Sequence, residues 1–190
     1  MPIVFSDEQL KRIIETKPIG DFYPYNMDEY DHEVINDYIS KVVGSFASIR
    51  SLQYEAIFDS YGSGYASYVD VFCWKKDGSS SEEREGILWI EGIRIYICRL
   101  APVAVIGRGQ MTKHATGGSR DYIESTTVNV FPSGDWEQEI KDIRALLKSY
   151  WFNLLEPTYL NQPLPFEAKI RTILADKPFK VFDALFYWED

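Results

Sequence analysis

The sequence predicts an α+β fold, a mostly antiparallel sheet of about five or six strands flanked by N-terminal and C-terminal helices. Three observations carry this expectation. Three stretches open with a helix-capping signature and continue with apolar residues three and four positions apart. The chain between the second and third of these switches to a period of two, rich in Val, Ile, Tyr, Phe and Trp. The joins inside that region are short and polar, as in hairpins.

Ser6-Asp7-Glu8-Gln9 precedes Leu10, Ile13 and Ile14, which predicts a helix over 7–16, ended by Pro18 and Gly20. Asn26-Met27-Asp28-Glu29 precedes Val34, Ile35, Tyr38, Ile39, Val42 and Val43, which predicts a helix over 27–44. A strand at 47–59 follows. Residues 65–74 form the next strand. Leu88, Trp89 and Ile90 form another, and Ile93, Ile95 and Ile97 alternate with Arg94, Tyr96 and Cys98. Val103, Val105 and Ile106 continue the sheet, and Ile123 to Phe131 reads as a further strand. Asp135-Trp136-Glu137-Gln138 opens a third helix, 136–154, whose stripe of Trp136, Ile140, Ile143 and Leu147 should dock on the sheet. Pro157, Pro163 and Pro165 then mark an extended segment. Phe166, Ile170 and Ile173 follow helical spacing, and residues 179–188 read as a strand or docked tail. One domain accounts for the length, with a helical part at 1–46, a strand-rich part at 47–131 and a helical and extended part at 132–190.

Composition limits the chemistry. The chain has two histidines, two cysteines and 29 aromatic residues in 190. Cys73 and Cys98 lie in apolar runs and read as buried free thiols. There is no apolar run of membrane length and no signal-peptide pattern, so the expectation is a cytoplasmic protein with no membrane partner. The net charge is -9. Residues 1–59 hold 5 Lys/Arg against 11 Asp/Glu, residues 60–134 hold 8 of each, and residues 135–190 hold 7 against 10. Such a balance repels phosphate backbones and disfavours nucleic acid as partner.

Metal, thiol and serine chemistry find little support. Asp28 and His32 are four apart and would share a helical face, but a site needs three or four ligands, and a solvated helix start explains the acidic run around them. No metal or other cofactor is expected. No Gly-x-Ser-x-Gly elbow is present. Residues 107–120 carry Arg108, Lys113, His114 and Arg120, several glycines and no acid, which makes them the one sizeable basic island. They match neither the P-loop nor the dinucleotide pattern. We read them as a mobile Gly-rich loop suited to contact an anionic group. Tyr23, Tyr25 and Tyr61 lie in loop-like sequence and are candidate contact aromatics.

These features point to a non-enzymatic binding protein with a basic protein as partner. An immunity-type antidote to a basic toxic protein is one concrete form. The alternative is a small hydrolase or ligand-binding enzyme using a carboxylate and the 107–120 loop.

Overall fold

The computed structural model describes residues 3–190. Helix α1 (Asp7–Ile14) starts where its capping signature predicts: Ser6 accepts from the Gln9 amide and Gln9 reaches back to the Ser6 amide. Leu10 and Ile13 are its buried face. Helix α2 (His32–Gly44) starts five residues later than the sequence predicts. Asp31 is its N-cap, accepting from the Glu33 and Val34 amides, while residues 22–27 close as turns. The cap beside the apolar stripe prevails over the earlier one at Asn26. Ile35, Ile39, Val42 and Val43 are its buried face.

A short 3₁₀ turn (Ser45–Ser48) leads to β1 (Leu52–Ile57). The strands β2 (Tyr65–Ala66), β3 (Tyr68–Lys75), β4 (Ser81–Arg84), β5 (Ile87–Cys98), β6 (Val103–His114) and β7 (Gly117–Arg120) follow. After them come α3 (Glu137–Ser149), β8 (Asn153–Leu154), α4 (Pro157–Leu160), α5 (Val181–Leu185) and β9 (Trp188–Glu189). The main sheet has seven strands in the order β1-β3-β5-β6-β7, with β4 beside the first half of β5 and β8 beside the start of β6. Every pairing in it is antiparallel except β6 with β8. β2 and β9 form a separate antiparallel pair. The fold is thus α+β, as expected.

Alternation along the strands divides the core in two. Val69, Val71, Cys73, Ile93, Ile95, Ile97, Ala104 and Ile106 form one face of the sheet, packed with α2 and α3 through Ile35, Ile39, Val42, Ile143 and Leu147. Tyr68, Tyr96, Cys98, Val103 and Val105 belong to the other, packed with α1, α4 and α5 through Leu10, Ile13, Leu160, Val181, Leu185 and Phe186. Covering both faces is what makes residues 68–73 buried without exception. Each fully buried Ile or Leu on these faces contributes about 1.5–3 kcal/mol. Cys73 and Cys98 are free, buried thiols; burial pushes Cys73 far up and Cys98 to about 11.

Several elements depart from the sequence reading. The third helix ends at Ser149, and residues 153–154 pair with β6 instead. Trp136, Ile143 and Leu147 are buried as expected, with Ile140 half-buried, but Trp136 sits at the cap position rather than inside the helix. Residues 123–131 form a turn with a single bridge, Gly107 to Val128, rather than a strand. Residues 166–173 are not helical; three apolar positions between prolines cannot offset the cost of nucleating a helix. Within the apolar run 179–188, Val181–Leu185 is the helix α5, because Phe182 and Phe186 satisfy helical spacing as well as alternation, while Trp188 lies in the strand β9 as part of the expected strand end.

Candidate functional site

The basic island is not a loop. Residues 107–114 belong to β6 and 117–120 are β7, with Met111 opposite Arg120 and His114 opposite Gly117. Its glycines mark close approach of other chain segments. A Cβ at Gly107 would lie 2.7 Å from the Thr127 carbonyl oxygen, and one at Gly109 would lie 2.9 Å from the Phe72 ring. Two of its three cations are also engaged internally. Lys113 Nζ is 2.9 Å from Glu55 Oε2 and lies over the Trp74 ring, and Arg120 Nη2 is 3.1 Å from Glu55 Oε1. Arg108 is exposed and without an ion pair among the described residues, and His114 is exposed beside Thr116.

The three tyrosines separate. Tyr23 is 64% exposed. Tyr25 is fully buried and donates to the Cys98 carbonyl at 2.9 Å, so it is a core residue and not a contact aromatic. Tyr61 is half-buried, with a left-handed backbone at φ 60°, and its hydroxyl donates to Asp70 Oδ2 at 2.9 Å. Through Asp70 and Glu55 the fold therefore joins Tyr61, Arg120 and Lys113, while Arg108, His114 and Tyr23 stand apart from them.

At the centre of that junction is an ion pair the sequence did not reveal. Arg94 Nη1 donates to both oxygens of Asp70 at 3.0 and 2.9 Å, and the two side chains are 0% and 1% exposed. Arg94 Nη2 reaches Asp121 Oδ1 at 3.2 Å, and the guanidinium lies over the Phe72 ring at 4.8 Å. Burial is the largest influence on the Arg94 pKa and works to lower it, yet Asp70, Tyr96 and Asp121 together outweigh it and hold the guanidinium above its ordinary value. Arg94 Nε is buried without a partner, under Gly109.

A second buried cation, Arg99, has no carboxylate partner among the described residues. It donates to the carbonyls of Phe58, Ala66 and Tyr68, and its Nε donates to Asn36 Oδ1 at 2.9 Å. Burial lowers its pKa. The bond to Asn36 fixes the next link. With Oδ1 committed to Arg99, the Asn36 amide nitrogen faces His32 Nε2 at 2.8 Å, so Nε2 accepts and the proton resides on Nδ1, 2.9 Å from the Tyr30 hydroxyl. Burial, and then the Arg99 charge, lower the His32 pKa.

Two surface features remain. Segment 21–37 carries Asp21, Asp28, Glu29, Asp31, Glu33 and Asp37, all exposed and none in an ion pair among the described residues. No Lys or Arg occurs between Lys17 and Lys41. Beside this segment, Phe22 packs against Trp151 with ring centroids 5.0 Å apart. Trp151 is 65% exposed and held at φ 63°. The sequence gives no sign that Trp151 faces outward, since its neighbour Phe152 is core.

The other feature is a groove of about 590 Å³ formed by residues 122–125 and 173–176 with Pro178, Lys180, Phe182, Asp183 and Trp188. Tyr122 and Trp188 stand on one side with rings 6.2 Å apart and inclined by 30°, and Trp188 also packs on Tyr61 at 4.6 Å. Lys180 Nζ lies 3.1 Å from Ser125 Oγ and 3.2 Å from Asn161 Oδ1. Nothing in the sequence joined Ser125, Asn161 and Lys180, which are far apart along the chain.

Among the described residues no three His, Cys, Asp or Glu side chains converge as metal ligands, and no helix is long and apolar enough to cross a membrane. No family model, no curated protein and no solved structure matches this chain.

Proposed function

We propose that this is a non-enzymatic interaction protein that binds a basic protein through segment 21–37 together with Tyr23 and Trp151. The observation that carries it is the pairing of exposed aromatics with an unpaired acidic run. Arg94, Lys113 and Arg120 are spent on the fold's own carboxylates, whereas the six carboxylates of 21–37 are exposed and carry no ion pair among the described residues, with Asp31 capping α2. Exposed Trp and Tyr are the side chains that most often anchor protein contacts, and a rim of one charge sign steers an oppositely charged partner. The backbone of Trp151 supports the same reading. A bulky residue at positive φ is strained, and such strain concentrates at functional positions. An immunity-type antidote to a basic toxic protein, acting in the cytoplasm, is the concrete form of this proposal.

The test is capture of partners by the tagged protein, followed by titration of the captured partner. Trp151→Ala should weaken binding by about 2 kcal/mol or more, roughly thirtyfold. Asp28→Lys with Glu29→Lys and Glu33→Lys should slow association and remove most of its salt dependence. A captured partner that binds both variants as tightly as the wild type would overturn the proposal.

A further inference from the structure

We propose that the groove between residues 122–125 and 173–188 is a binding site for a small apolar molecule carrying one carboxylate. Lys180 is the recognition group. Its ammonium has three protons; two are directed to neutral oxygens, Ser125 Oγ and Asn161 Oδ1, and no carboxylate pairs with it among the described residues. The arrangement is fixed from behind. Asn161 Nδ2 donates to the carbonyls of Ser125 and Pro157 at 3.0 and 2.9 Å, so its Oδ1 is aimed at Lys180 and cannot exchange with the amide nitrogen. Ser125 is 7% exposed, and its hydroxyl, accepting from Lys180, keeps its own proton for another acceptor. The half-buried ammonium feels the nearby Asp183 carboxylate but donates only to neutral oxygens, so it has no directly bonded counter-ion, which most such cations have. A ligand carboxylate supplies it, accepting from Lys180 and from Ser125.

The walls define the rest of the ligand. Tyr122, Trp188, Ile173, Leu174 and Phe182 offer apolar and aromatic surface, and Trp188 is steadied by Tyr61 and by the bond from its indole nitrogen to the Ser63 carbonyl. The volume lies within the range of small-molecule sites. Glu124, Asp176 and Asp183 also line the groove. Asp183 is raised by burial and accepts from the Lys180 amide at 2.7 Å, whereas Glu124 and Asp176 are exposed at the rim. These acids oppose a second negative charge. The site therefore suits a monoanionic amphiphile and rejects dianions such as a phosphate ester. It shares no residue with segment 21–37, Tyr23 or Trp151, so each proposal can fail without the other.

Calorimetric titration with 3-phenylpropionate tests it, with the neutral 3-phenylpropanamide and the dianion phenyl phosphate as comparisons. The wild type should bind the carboxylate saturably, with a Kd of about 1 mM or tighter, and bind the other two at least about tenfold more weakly. Lys180→Met should weaken carboxylate binding by about tenfold or more. Ile173→Glu gives an independent check, because Ile173 is 59% exposed and a charge there repels the ligand without disturbing the core. It should weaken binding severalfold with melting temperature unchanged. The absence of saturable binding overturns the proposal. So does equal affinity for the amide, or unaltered affinity in folded Lys180→Met and Ile173→Glu proteins.

Discussion

Replacing Asp70 by Asn tests whether the centre of the sheet depends on its buried ion pair. The side chains are nearly the same size, so the change removes charge and leaves packing intact. In the native protein Asp70 accepts two bonds from Arg94 and one from Tyr61, with Arg120 Nη1 a further 3.6 Å contact. After the change, Arg94 remains 0% exposed and keeps the new amide oxygen, the Gln110 carbonyl at 3.3 Å and the 41%-exposed Asp121 as acceptors, but loses its one buried counter-charge. Removing one partner of a buried pair costs about 3–5 kcal/mol, because the other charge stays out of water. In a protein of this size that lowers the melting temperature by roughly 6–20 °C. Urea denaturation of wild type, Asp70→Leu, Arg94→Met and the double variant Asp70→Leu/Arg94→Met, with Asp70→Asn beside them, measures it. The double variant should lose less than the sum of the single changes, since it leaves no orphaned charge. A loss below about 1 kcal/mol for Asp70→Asn, or strict additivity, would refute the reasoning and mean that water reaches the pair.

Ile143→Ala should cost about 2–5 kcal/mol in the same assay, because Ile143 is 0% exposed between α3 and the sheet; a loss under half a kcal/mol would contradict this packing. His32 should make stability fall in acid. Its pKa is lowered from 6.5 by burial and by Arg99, with Glu33 and Asp31 acting the other way, so the unfolded chain binds the proton more readily. The contribution is complete above 6.5 and is lost as pH falls from there through the lower folded-state value, and His32→Leu should flatten this part of the stability profile. Arg120→Ala should destabilise more than Arg108→Ala, since Arg120 pairs with Glu55 and reaches Asp70 while Arg108 pairs with nothing described; equal melting temperatures would contradict the assignment.

Where local chemistry decides structure, the sequence was legible. Ser6 and Gln9 form the reciprocal cap their spacing implies, and alternation in 68–74 and 93–98 places the strands. The misreadings share a cause: each depended on what another segment does. Gly107, Gly109 and Gly118 suggest flexibility until Thr127, Phe72 and Thr112 are seen against them. Arg94 reads as an outward residue between Ile93 and Ile95, because sequence does not say that the second face of the sheet is also covered. Asp70 offered the one available signal, a lone carboxylate inside an apolar strand, matched by a lone arginine inside the next, where the register sets them two residues apart on one face. Trp151 and Phe152 are adjacent, yet one is core and the other exposed, a distinction set by the turn after α3. Of the candidate site residues, Tyr23 kept its expected exposure and Tyr25 did not. The Lys180 groove was invisible because Ser125, Asn161 and Lys180 lie on segments without regular periodicity.

The cover over Tyr68, Tyr96 and Cys98 is made late. That surface of the sheet is in place once Val105 has been synthesised, but Val181, Leu185, Phe186 and the Trp188–Glu189 pairing with Tyr65–Ala66 come about 80 residues afterwards. At translation rates of about 5–20 residues per second, the interval is roughly 4–16 seconds. During it, the nascent chain presents an uncovered aromatic sheet surface and an unpaired β2 edge, the kind of surface that chaperones hold and that neighbouring chains on a polysome can capture. A ribosome stalled in the 160s would therefore display a sticky half-sheet, so the yield of folded protein should respond to translation speed over residues 130–190 more than over residues 1–60.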